Sequence, residues 1–516
     1  MSAINETLIR DVVVDVMARL GSARPSHEAD QKPCGHSPCP LPTGSGAVGR
    51  RPGEGFRSSM HEIGSVNRRS AGGKFGVFQD ANDACVAAQG AFEKLRQKGV
   101  AARAKVVEIV KTMADANAAE WGRIELEETK IGRLDHKIEK LQIIKLVPGV
   151  EWLNPYGRSG DHGITLEEYT PFGVVAAVTP STHSIPTLSG NVINIVAAGN
   201  AVVFNAHPGA ARCAAMAVRE YNRAIERETG IENLITIIEQ PTLDSFKAMC
   251  SHEVVRLLCV TGGPAVVKAA MQIGKRAICA GPGNPPVLVD DTCCLTYAAK
   301  TIIQGAAYDN NLLCIGEKEI FALESIADRL MEHLAENGAA RLNGSQLERL
   351  TRAAFTFSEG RGGGCAHATV NRELLGKDAA VLARAAGVDV KPATQLLFAE
   401  TSADHPFVVE EQMMPFVPIV RVKSVEEGIE RSIEAEHGYK HTSIIHSHDV
   451  ENMTAMARAL DTTLFIKNGP CMSGLGLGGE GYLSYSIATP TGEGVTNPRT
   501  FTRVRRCVMV DNLRIY

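Results

Sequence analysis

The chain has 516 residues, of which 44% are hydrophobic and 22% charged, and its formal net charge is −4. That charge balance predicts no basic surface for nucleic acid, and no run reaches the roughly 18 apolar residues of a membrane span. The N-terminus lacks the pattern of a secretory signal, and the 13 scattered cysteines favour free thiols in a reducing compartment. We therefore expect a large soluble protein of several domains.

The first predicted element is a helix over residues 2–20, where apolar residues recur at the spacing of one broad helix face. Residues 21–73 are rich in Gly, Pro and Ser and predict a flexible linker. A helix isolated in this way either folds back onto the main domain or docks on another protein, and the pattern leaves both open. Within the linker, Cys34, His36 and Cys39 form half of a zinc motif without a second pair, so no metal site is predicted.

The body of the chain alternates between buried strands and amphipathic helices. Residues 77–145 have a mostly helical period, and turn signals within 148–170 predict a hairpin excursion. Five strands and four helices then alternate, which is typical of a doubly wound parallel α/β sheet. The strands are predicted at 173–180, 201–208, 233–239, 254–263 and 275–281, and the helices at 186–200, 209–226, 242–250 and 264–274.

A second α/β unit begins at 285–291, carries Cys314, and continues through 407–422 and 437–447 to about Asn468. Ligands of doubly wound sheets bind beyond the carboxyl ends of the strands. In the first sheet those ends read "TPSTH", "NAHPGA" and "TGGP". The usual glycine fingerprint of dinucleotide-binding domains, GxGxxG, is absent.

Eight collinear segments over residues 75–516 resemble the aldehyde dehydrogenase superfamily, and more closely its CoA-acylating branch from bacterial microcompartments. The segments are "TPSTH", "AAGNAVVFNAHPGA", "VTGGPAVVKAA", "AGPGNPPVLVD", "DNNLLCIGEKE", "VVEEQMMPFVPIVRV", "HTSIIHS" and "TPTGEGVTNPRTFTRVRRC". The resemblance implies an aldehyde dehydrogenase-like α/β fold with two doubly wound domains. The expected boundaries are a helix at 1–20, a linker at 21–73, an NAD-binding domain at 74–282 with an oligomerisation excursion at 148–170, a catalytic domain at 283–470, and a C-terminal return segment with an oligomerisation strand at 471–516.

By this resemblance Cys314 is the nucleophile. A thiolate can make an aldehyde carbon tetrahedral, so that it gives up hydride and leaves a thioester on the enzyme. The oxyanion that forms needs hydrogen-bond donors. The candidates are the backbone N–H of Cys314 and a group within Ser181–His183, where the superfamily usually has an asparagine side chain and this sequence has none.

The fate of the thioester depends on the segment "CAGPGNPP" (279–286). Hydrolytic members of the superfamily have a glutamate there that activates water, and alignment on the proline puts Ala280 in its place. We therefore predict release by the thiol of coenzyme A, with His441 in "KHTS" as a candidate for assisting proton transfer. A hydrolytic enzyme that releases the free acid is the alternative.

The resemblance implies NAD as the redox cofactor. The glycines after the strand that ends at Thr261 can approach a pyrophosphate, Asn205 and His207 stand where a lysine usually holds the adenosine ribose, and Glu411 matches a glutamate that binds the nicotinamide ribose. NADP is not excluded. The expected cofactor-binding residues are Thr179, Pro180, Ser181, Thr182, His183, Asn205, His207, Thr261, Gly262, Gly263, Val266 and Glu411.

Coenzyme A is expected to enter the same cleft. The C-terminal arginines either meet its phosphates or lie at a subunit interface. They are Arg499, Arg503, Arg505 and Arg506.

The resemblance also implies a location and partners. Terminal helices on leashes often direct such enzymes to the shell or to other cargo of a microcompartment, so residues 2–20 are expected to be an encapsulation peptide and the protein to lie in the lumen. A homodimer or homotetramer is expected, and propionaldehyde is the favoured substrate, with acetaldehyde next. An inactive structural cargo protein that binds shell is the alternative of another class.

Overall fold

A computed structural model describes residues 73–358, 367–487 and 491–511 of the chain. The predicted helix over 2–20, the linker up to residue 72 and the Cys34–Cys39 segment lie outside these residues. Eighteen strands and fourteen α-helices are found in the described part. None of those helices is both long and apolar enough to cross a membrane.

The strands are β1 (Val77–Phe78), β2 (Tyr156–Gly160), β3 (Gly163–Pro171), β4 (Val174–Thr179), β5 (Ala201–Ala206), β6 (Ile235–Ile238), β7 (Val255–Thr261), β8 (Ala277–Ala280), β9 (Pro286–Val289), β10 (Glu319–Leu323), β11 (Ala340–Arg341), β12 (Phe355–Ser358), β13 (His367–Val370), β14 (Leu397–Glu400), β15 (Phe416–Val422), β16 (Thr442–His446), β17 (Leu464–Lys467) and β18 (Thr502–Val510).

The α-helices are α1 (Ala81–Ala116), α2 (Ala118–Thr129), α3 (Leu134–Gln142), α4 (Ser184–Ala197), α5 (Ala211–Thr229), α6 (Leu243–Ser251), α7 (Pro264–Met271), α8 (Leu295–Ala306), α9 (Ala327–Glu336), α10 (Gly344–Ala354), α11 (Ala379–Ala385), α12 (Pro406–Val409), α13 (Val425–Glu436) and α14 (Val450–Leu460).

The first sheet is parallel and has the strand order β1-β6-β5-β4-β7-β8. From β4 the chain moves outward through β5 and β6, then returns to the other side of β4 for β7 and β8, which confirms the doubly wound arrangement. The five predicted strands are all present. The mostly helical prediction for 77–145 is confirmed by α1, α2 and α3. A sixth strand, β1, was not predicted: it has two residues, too few for a recognisable pattern, and forms by pairing Val77 with Ile237 of β6.

The second sheet is also parallel, with the order β11-β14-β15-β10-β9-β16-β17, and it confirms the second α/β unit. Its centre is β10, in which Ile320 lies opposite Ile419 of β15 and Val287 of β9. In β4, β5, β9 and β10 every residue is buried, as expected of parallel strands whose two faces are both covered by helices.

Two small antiparallel sheets complete the described structure. One pairs β12 with β13, and the other has the order β18-β3-β2. The predicted hairpin within 148–170 is confirmed as β2 and β3, although residues Val150–Leu153 form a 3-10 helix. The C-terminal segment returns to this hairpin as β18, with Val504 opposite Tyr169.

Candidate active site

A cavity of about 400 Å³ opens between the carboxyl ends of first-sheet strands and loops of the second α/β unit. All of the residues predicted for cofactor binding line it, together with Cys314. The lining members of the predicted set are Thr179, Pro180, Ser181, Thr182, His183, Asn205, His207, Thr261, Gly262, Gly263, Val266, Cys314 and Glu411. Ala280, the last residue of β8, also lines the cavity. The chain then crosses to the second sheet.

The turn from β7 into α7 is built for close approach of a ligand to the backbone. Gly263 caps the helix, and a Cβ atom placed on it would meet nothing within 4 Å. A Cβ atom on Gly262 would fall 2.8 Å from Cγ1 of Val266, so only glycine keeps this turn tight. The free N–H groups at the start of α7 suit a pyrophosphate, and the turn therefore fits the dinucleotide that the family resemblance implies.

Asn205 and His207, at the end of β5, form the adjoining part of the wall. The Asn205 side-chain oxygen accepts a hydrogen bond of 2.7 Å from the hydroxyl of Ser245, and Nδ1 of His207 accepts one of 3.0 Å from the N–H of Gly209. Burial, and secondarily the charge of Arg372, lower the pKa of His207. This part of the wall is therefore neutral and held in one orientation.

The nucleophile follows a turn with three consecutive left-handed residues. Asp309, Asn310 and Asn311 have φ values of +47°, +57° and +62°. Asp and Asn tolerate this region better than other residues with a Cβ atom, but the conformation is costly unless the surroundings impose it. We infer that this strained turn fixes the position of Cys314.

The surroundings of this turn impose its conformation through side-chain contacts. The Asp309 carboxylate accepts from Nζ of Lys140 and, at 2.7 Å, from the N–H of Arg133. The Asn310 amide donates to the carbonyl of Gly376 at 2.9 Å, and the Asn311 amide donates to the carbonyl of Glu317 at 2.8 Å. The turn is thus held by α3 and the residue before it, by Gly376 and by Glu317.

Cys314 is partly exposed to the cavity. Burial, followed by the charge of Glu411, raises the pKa of its thiol to about 12, while the charge of Lys318 acts in the opposite direction. A free cysteine thiol has a pKa near 8.5. The site therefore needs the nearby charge of Lys318 to stabilise the thiolate of Cys314 near neutral pH.

Glu411 is the carboxylate among the lining residues that the structure describes. Burial raises its pKa, and the charge of Lys318 opposes that effect. The N–H of Gly283 lies 3.5 Å from one of its oxygens, which is a weak contact. Glu411 is close enough for its charge to affect the pKa of Cys314. It also lines the cavity, as expected for a residue that contacts the cofactor.

His441 does not line the cavity, in contrast to the other predicted residues. It is 2% exposed and lies behind Gly283, on which a Cβ atom would fall 2.4 Å from the Cys314 carbonyl oxygen and 2.9 Å from the His441 ring. Its Nδ1 lies 2.8 Å from the Thr442 hydroxyl, and Nε2 has no hydrogen-bond partner within the described residues. Burial, and then Lys318, lower the pKa of His441 to about 3, so the ring is neutral.

Two buried ion pairs behind the cavity were not predicted. Lys137 contacts Glu125 at 2.9 Å, and Lys140 contacts Asp309 of the strained turn. The other oxygen of Glu125 accepts from the N–H of Ile185 at 2.8 Å, next to the loop of the predicted oxyanion donors. The two lysines lie three residues apart on α3, but their partners lie on other elements, 12 and 169 residues away, so no helix-spacing pattern indicates the pairs.

The C-terminal arginines do not line this cavity. Contact with coenzyme A phosphates and a place at a subunit interface both stay predictions. Arg505 pairs with Glu168 at 2.8 Å, Arg506 pairs with Glu167, and Arg499 lies over Trp152 with 5.9 Å between its guanidinium carbon and the ring centroid. The first two pairs join β18 to β3, whereas Arg499 and Trp152 lie in the 3-10 helices Pro498–Phe501 and Val150–Leu153. Within the described ranges, no group of three or more His, Cys, Asp or Glu side chains could hold a metal ion.

Comparison with known proteins agrees with this geometry. The sequence profile of the aldehyde dehydrogenase family matches residues 74–480. The acetaldehyde dehydrogenase (acetylating) EutE of Salmonella typhimurium is 44% identical over 444 residues, which cover 86% of this chain and 94% of that protein.

Two solved structures have the same fold. The propionaldehyde dehydrogenase of Rhodopseudomonas palustris, with bound CoA and an acylated cysteine, gives a TM-score of 0.82 at 40% identity and covers 86% of this chain and 100% of its own. A propionaldehyde dehydrogenase from the fucose utilisation bacterial microcompartment of Clostridium phytofermentans gives 0.81 at 40% identity, with 86% and 100% coverage.

Proposed function

The chain belongs to the aldehyde dehydrogenase family, and from that premise we propose that it oxidises a short-chain aldehyde to an acyl-CoA, with NAD and coenzyme A as co-substrates. Propionaldehyde is the favoured substrate and acetaldehyde the next. The similarity to an acetylating acetaldehyde dehydrogenase and to propionaldehyde dehydrogenases supports this range.

One observation carries the reaction class. Cys314 and Ala280 line the same cavity, so the position that supplies a water-activating glutamate in hydrolytic relatives here has only a methyl group. Water without a base is a poor acceptor for a thioester, whereas a thiol is intrinsically more nucleophilic. Transfer to coenzyme A follows from this pairing.

The first half of the reaction takes place on Cys314. Its thiolate attacks the aldehyde carbon and forms a thiohemiacetal, whose oxyanion is stabilised by donors at the backbone of Cys314 and in the Ser181–His183 loop. Bound NAD supplies the acceptor for the hydride that the thiohemiacetal loses. Thr261–Gly263 and the start of α7 would hold the pyrophosphate, and Glu411 would hold the nicotinamide ribose.

The second half releases the acyl group from Cys314 to the thiol of coenzyme A. Cys314 leaves as a thiolate, and the thiol proton of the incoming substrate must go to a base. His441 is neutral and its Nε2 has no hydrogen-bond partner in the described residues. Its ring and the Cys314 carbonyl oxygen both lie close to Gly283. We assign it the role of proton acceptor in this step.

The deciding experiment measures NADH formation from propionaldehyde and NAD with and without coenzyme A. Sustained turnover only in the presence of coenzyme A supports thioester transfer. Equal turnover in its absence would mean that a carboxylate, of which Glu411 is the candidate on the wall, activates water, and that the hydrolytic alternative is correct.

The similarity to known proteins also suggests where in a cell this protein works. We propose that it works inside a bacterial microcompartment and that residues 2–20 bind shell or other cargo. The similarity to a microcompartment enzyme supports this proposal. Deletion of residues 1–20 is expected to leave turnover in solution unchanged and to abolish co-purification with shells, and undiminished co-purification of the truncated protein would refute it.

We further propose that the protein is a homodimer or homotetramer that associates through the β18-β3-β2 sheet. Strand β18 is at the edge of this sheet, and Val504 and Val508 are 64% and 56% exposed. An unpaired edge with exposed apolar side chains is suited to association. Light scattering of wild type and Val504→Glu is expected to show loss of the larger species in the variant.

A further inference from the structure

Lys318 is a fully buried lysine four residues after the nucleophile, immediately before β10. Its ammonium donates to the carbonyl oxygens of Asn311 at 2.9 Å and Leu313 at 3.3 Å, and also to the side-chain oxygen of Asn311. All three acceptors belong to the turn that leads into Cys314. The ammonium therefore ties that turn to the start of a central strand.

The main chain of Lys318 is fixed as well, so the ammonium cannot easily withdraw. Its N–H donates to the carbonyl of Pro285 at 3.1 Å, and its carbonyl accepts from the side-chain amide of Gln412 at 3.2 Å. These contacts join the turn to the entry of β9 and to the segment next to Glu411.

No carboxylate in the described ranges lies within 4.0 Å of this ammonium, whereas the other two fully buried lysines of those ranges each have one. Lys137 pairs with Glu125, and Lys140 pairs with Asp309. A buried ammonium held only by neutral oxygens is costly, because carbonyl dipoles compensate its lost hydration incompletely. The site therefore favours an additional negative charge close to Lys318.

Lys318 and six titratable groups around it affect one another's pKa values through their charges. The six groups are Cys314, Glu317, Glu319, Glu411, His441 and Cys471. Glu411 is the charge that acts most strongly on Lys318, but it lies beyond 4.0 Å and burial raises its own pKa. Burial also raises the pKa of Glu319 well above its usual value and that of Glu317 to about 7, so neither is a strong counter-ion near neutral pH. Cys471 is buried and has a strongly raised pKa, whereas Cys314 opens to the cavity, where its proton can leave to water.

We propose that Lys318 is a positioning residue for the reaction, which holds the end of the strained turn at Asn311 and the residues that lead from it to Cys314, and compensates the charge of the Cys314 thiolate. When the S–H bond breaks, the proton passes to solvent through the cavity, the electron pair stays on sulfur, and Lys318 remains an ammonium. The inference rests on the proposed role of Cys314, but its test reads the thiolate directly and does not depend on turnover or on coenzyme A.

The test is the pH dependence of alkylation of Cys314 by iodoacetamide in the full-length enzyme, with the Cys314 peptide followed by mass spectrometry. In Lys318→Met the midpoint is expected to rise by about one pH unit or more, which is about tenfold slower alkylation at neutral pH. A merely structural lysine would change the limiting rate and leave the midpoint in place, and that outcome would overturn the proposal.

Asn311→Asp keeps the test decisive if Lys318→Met does not fold. It places a permanent carboxylate at the ammonium, removes the need for the thiolate as counter-ion, and is also expected to raise the midpoint. An unchanged or lowered midpoint in Asn311→Asp would refute the compensating role.

Lys140→Met is the matched control. It removes an equally buried lysine, which pairs with Asp309 of the same turn. The charge of Lys140 does not contribute to the shift in the pKa of Cys314, whereas that of Lys318 does. The midpoint in Lys140→Met is expected to stay within about 0.3 pH unit of wild type. A shift as large as that of Lys318→Met would show that loosening of the turn, rather than charge, sets the thiol pKa, and would count against the proposal.

Discussion

The two walls of the cavity use opposite ends of their strands. The wall of the first sheet is built from residues at or after the carboxyl ends of β4, β5, β6, β7 and β8. The wall of the second sheet comes from residues before the amino ends of its strands, with Cys314 before β10 and Glu411 before β15. Behind this wall, Gly283 lies before β9 and His441 before β16. The common rule that ligands bind at carboxyl ends therefore locates only the first wall.

The two walls also differ in charge. The lining contributed by the first sheet contains no Asp, Glu, Lys or Arg among the described residues. The second wall has Glu411 on its surface and Lys318 and His441 behind it. A cofactor can be held by backbone N–H groups and shape, whereas control of a thiolate needs charges, which must be buried and balanced against each other.

The largest expected effect tests whether the chemistry belongs to the second wall. Cys314→Ser is expected to lower NADH formation by about 1,000-fold or more, because an alkoxide is not available at neutral pH and an oxygen ester is a poorer intermediate. Cys294→Ser, which changes an exposed cysteine, is the control and should retain activity within about twofold. Substantial turnover in Cys314→Ser would remove the basis of the comparison.

Adding one methyl group to each wall should separate their functions. In Gly283→Ala the new Cβ atom would fall 2.4 Å from the Cys314 carbonyl oxygen, so we expect a loss of kcat of about 100-fold and a lowered melting temperature. In Gly263→Ala the Cβ atom meets open space, so stability should be retained while KM for NAD rises about tenfold, since the pyrophosphate approaches that backbone. Initial-rate kinetics and thermal unfolding distinguish the two results, and equal losses of stability would contradict the comparison.

A carboxylate introduced on the first wall should change the acceptor. Ala280→Glu is expected to raise the rate of NADH formation without coenzyme A by about tenfold, because the new base can activate water for attack on the Cys314 thioester. Ala280→Gln has a similar size but no base, and its rate without coenzyme A should stay at the wild-type level. Equal rates in the two variants would argue that Ala280 does not decide between water and thiol.

The smallest effect concerns the sign of the charges around the thiol. The Glu411 carboxylate raises the pKa of Cys314, so in Glu411→Gln this pKa should fall and the pH midpoint of alkylation should move down by about 0.5 unit. At a fixed neutral pH the variant should therefore be alkylated faster, opposite to the change expected for Lys318→Met. Glu410→Gln, on the neighbouring residue, is the control, and a midpoint that rises in Glu411→Gln would show that the carboxylate acts on the thiol in some other way.

Much of the first wall could be predicted because its elements have local signals. The strand "AVVFNA" and the helix after it are recognised from their own residues, and the polar residues at the strand end follow directly. Cys314 and Ala280 were found through resemblance to a family rather than through a local pattern. His441 was found in the same way, but its place behind Gly283 depends on how two loops meet.

Other features had no signal in one dimension. Strand β1 has two residues and exists because β6 offers an unpaired edge. Lys318 looks in sequence like part of a solvated charged turn, Glu317–Glu319, yet all three residues are fully buried. Their roles depend on contacts with residues that are far apart in the chain.

The sequence by itself determined the alternation of strands and helices, because that pattern depends on residues that are close together in the chain. Through its resemblance to a family, it also indicated the nucleophile and the alanine that takes the place of a water-activating base. The tertiary structure alone decided that the carboxyl edge of one sheet faces the amino edge of another. It also decided that a left-handed turn presents Cys314 and that Lys318 lies buried without a carboxylate partner among the described residues. Burial and charge balance are sums over all neighbours in space, so they are set only when the chain has folded.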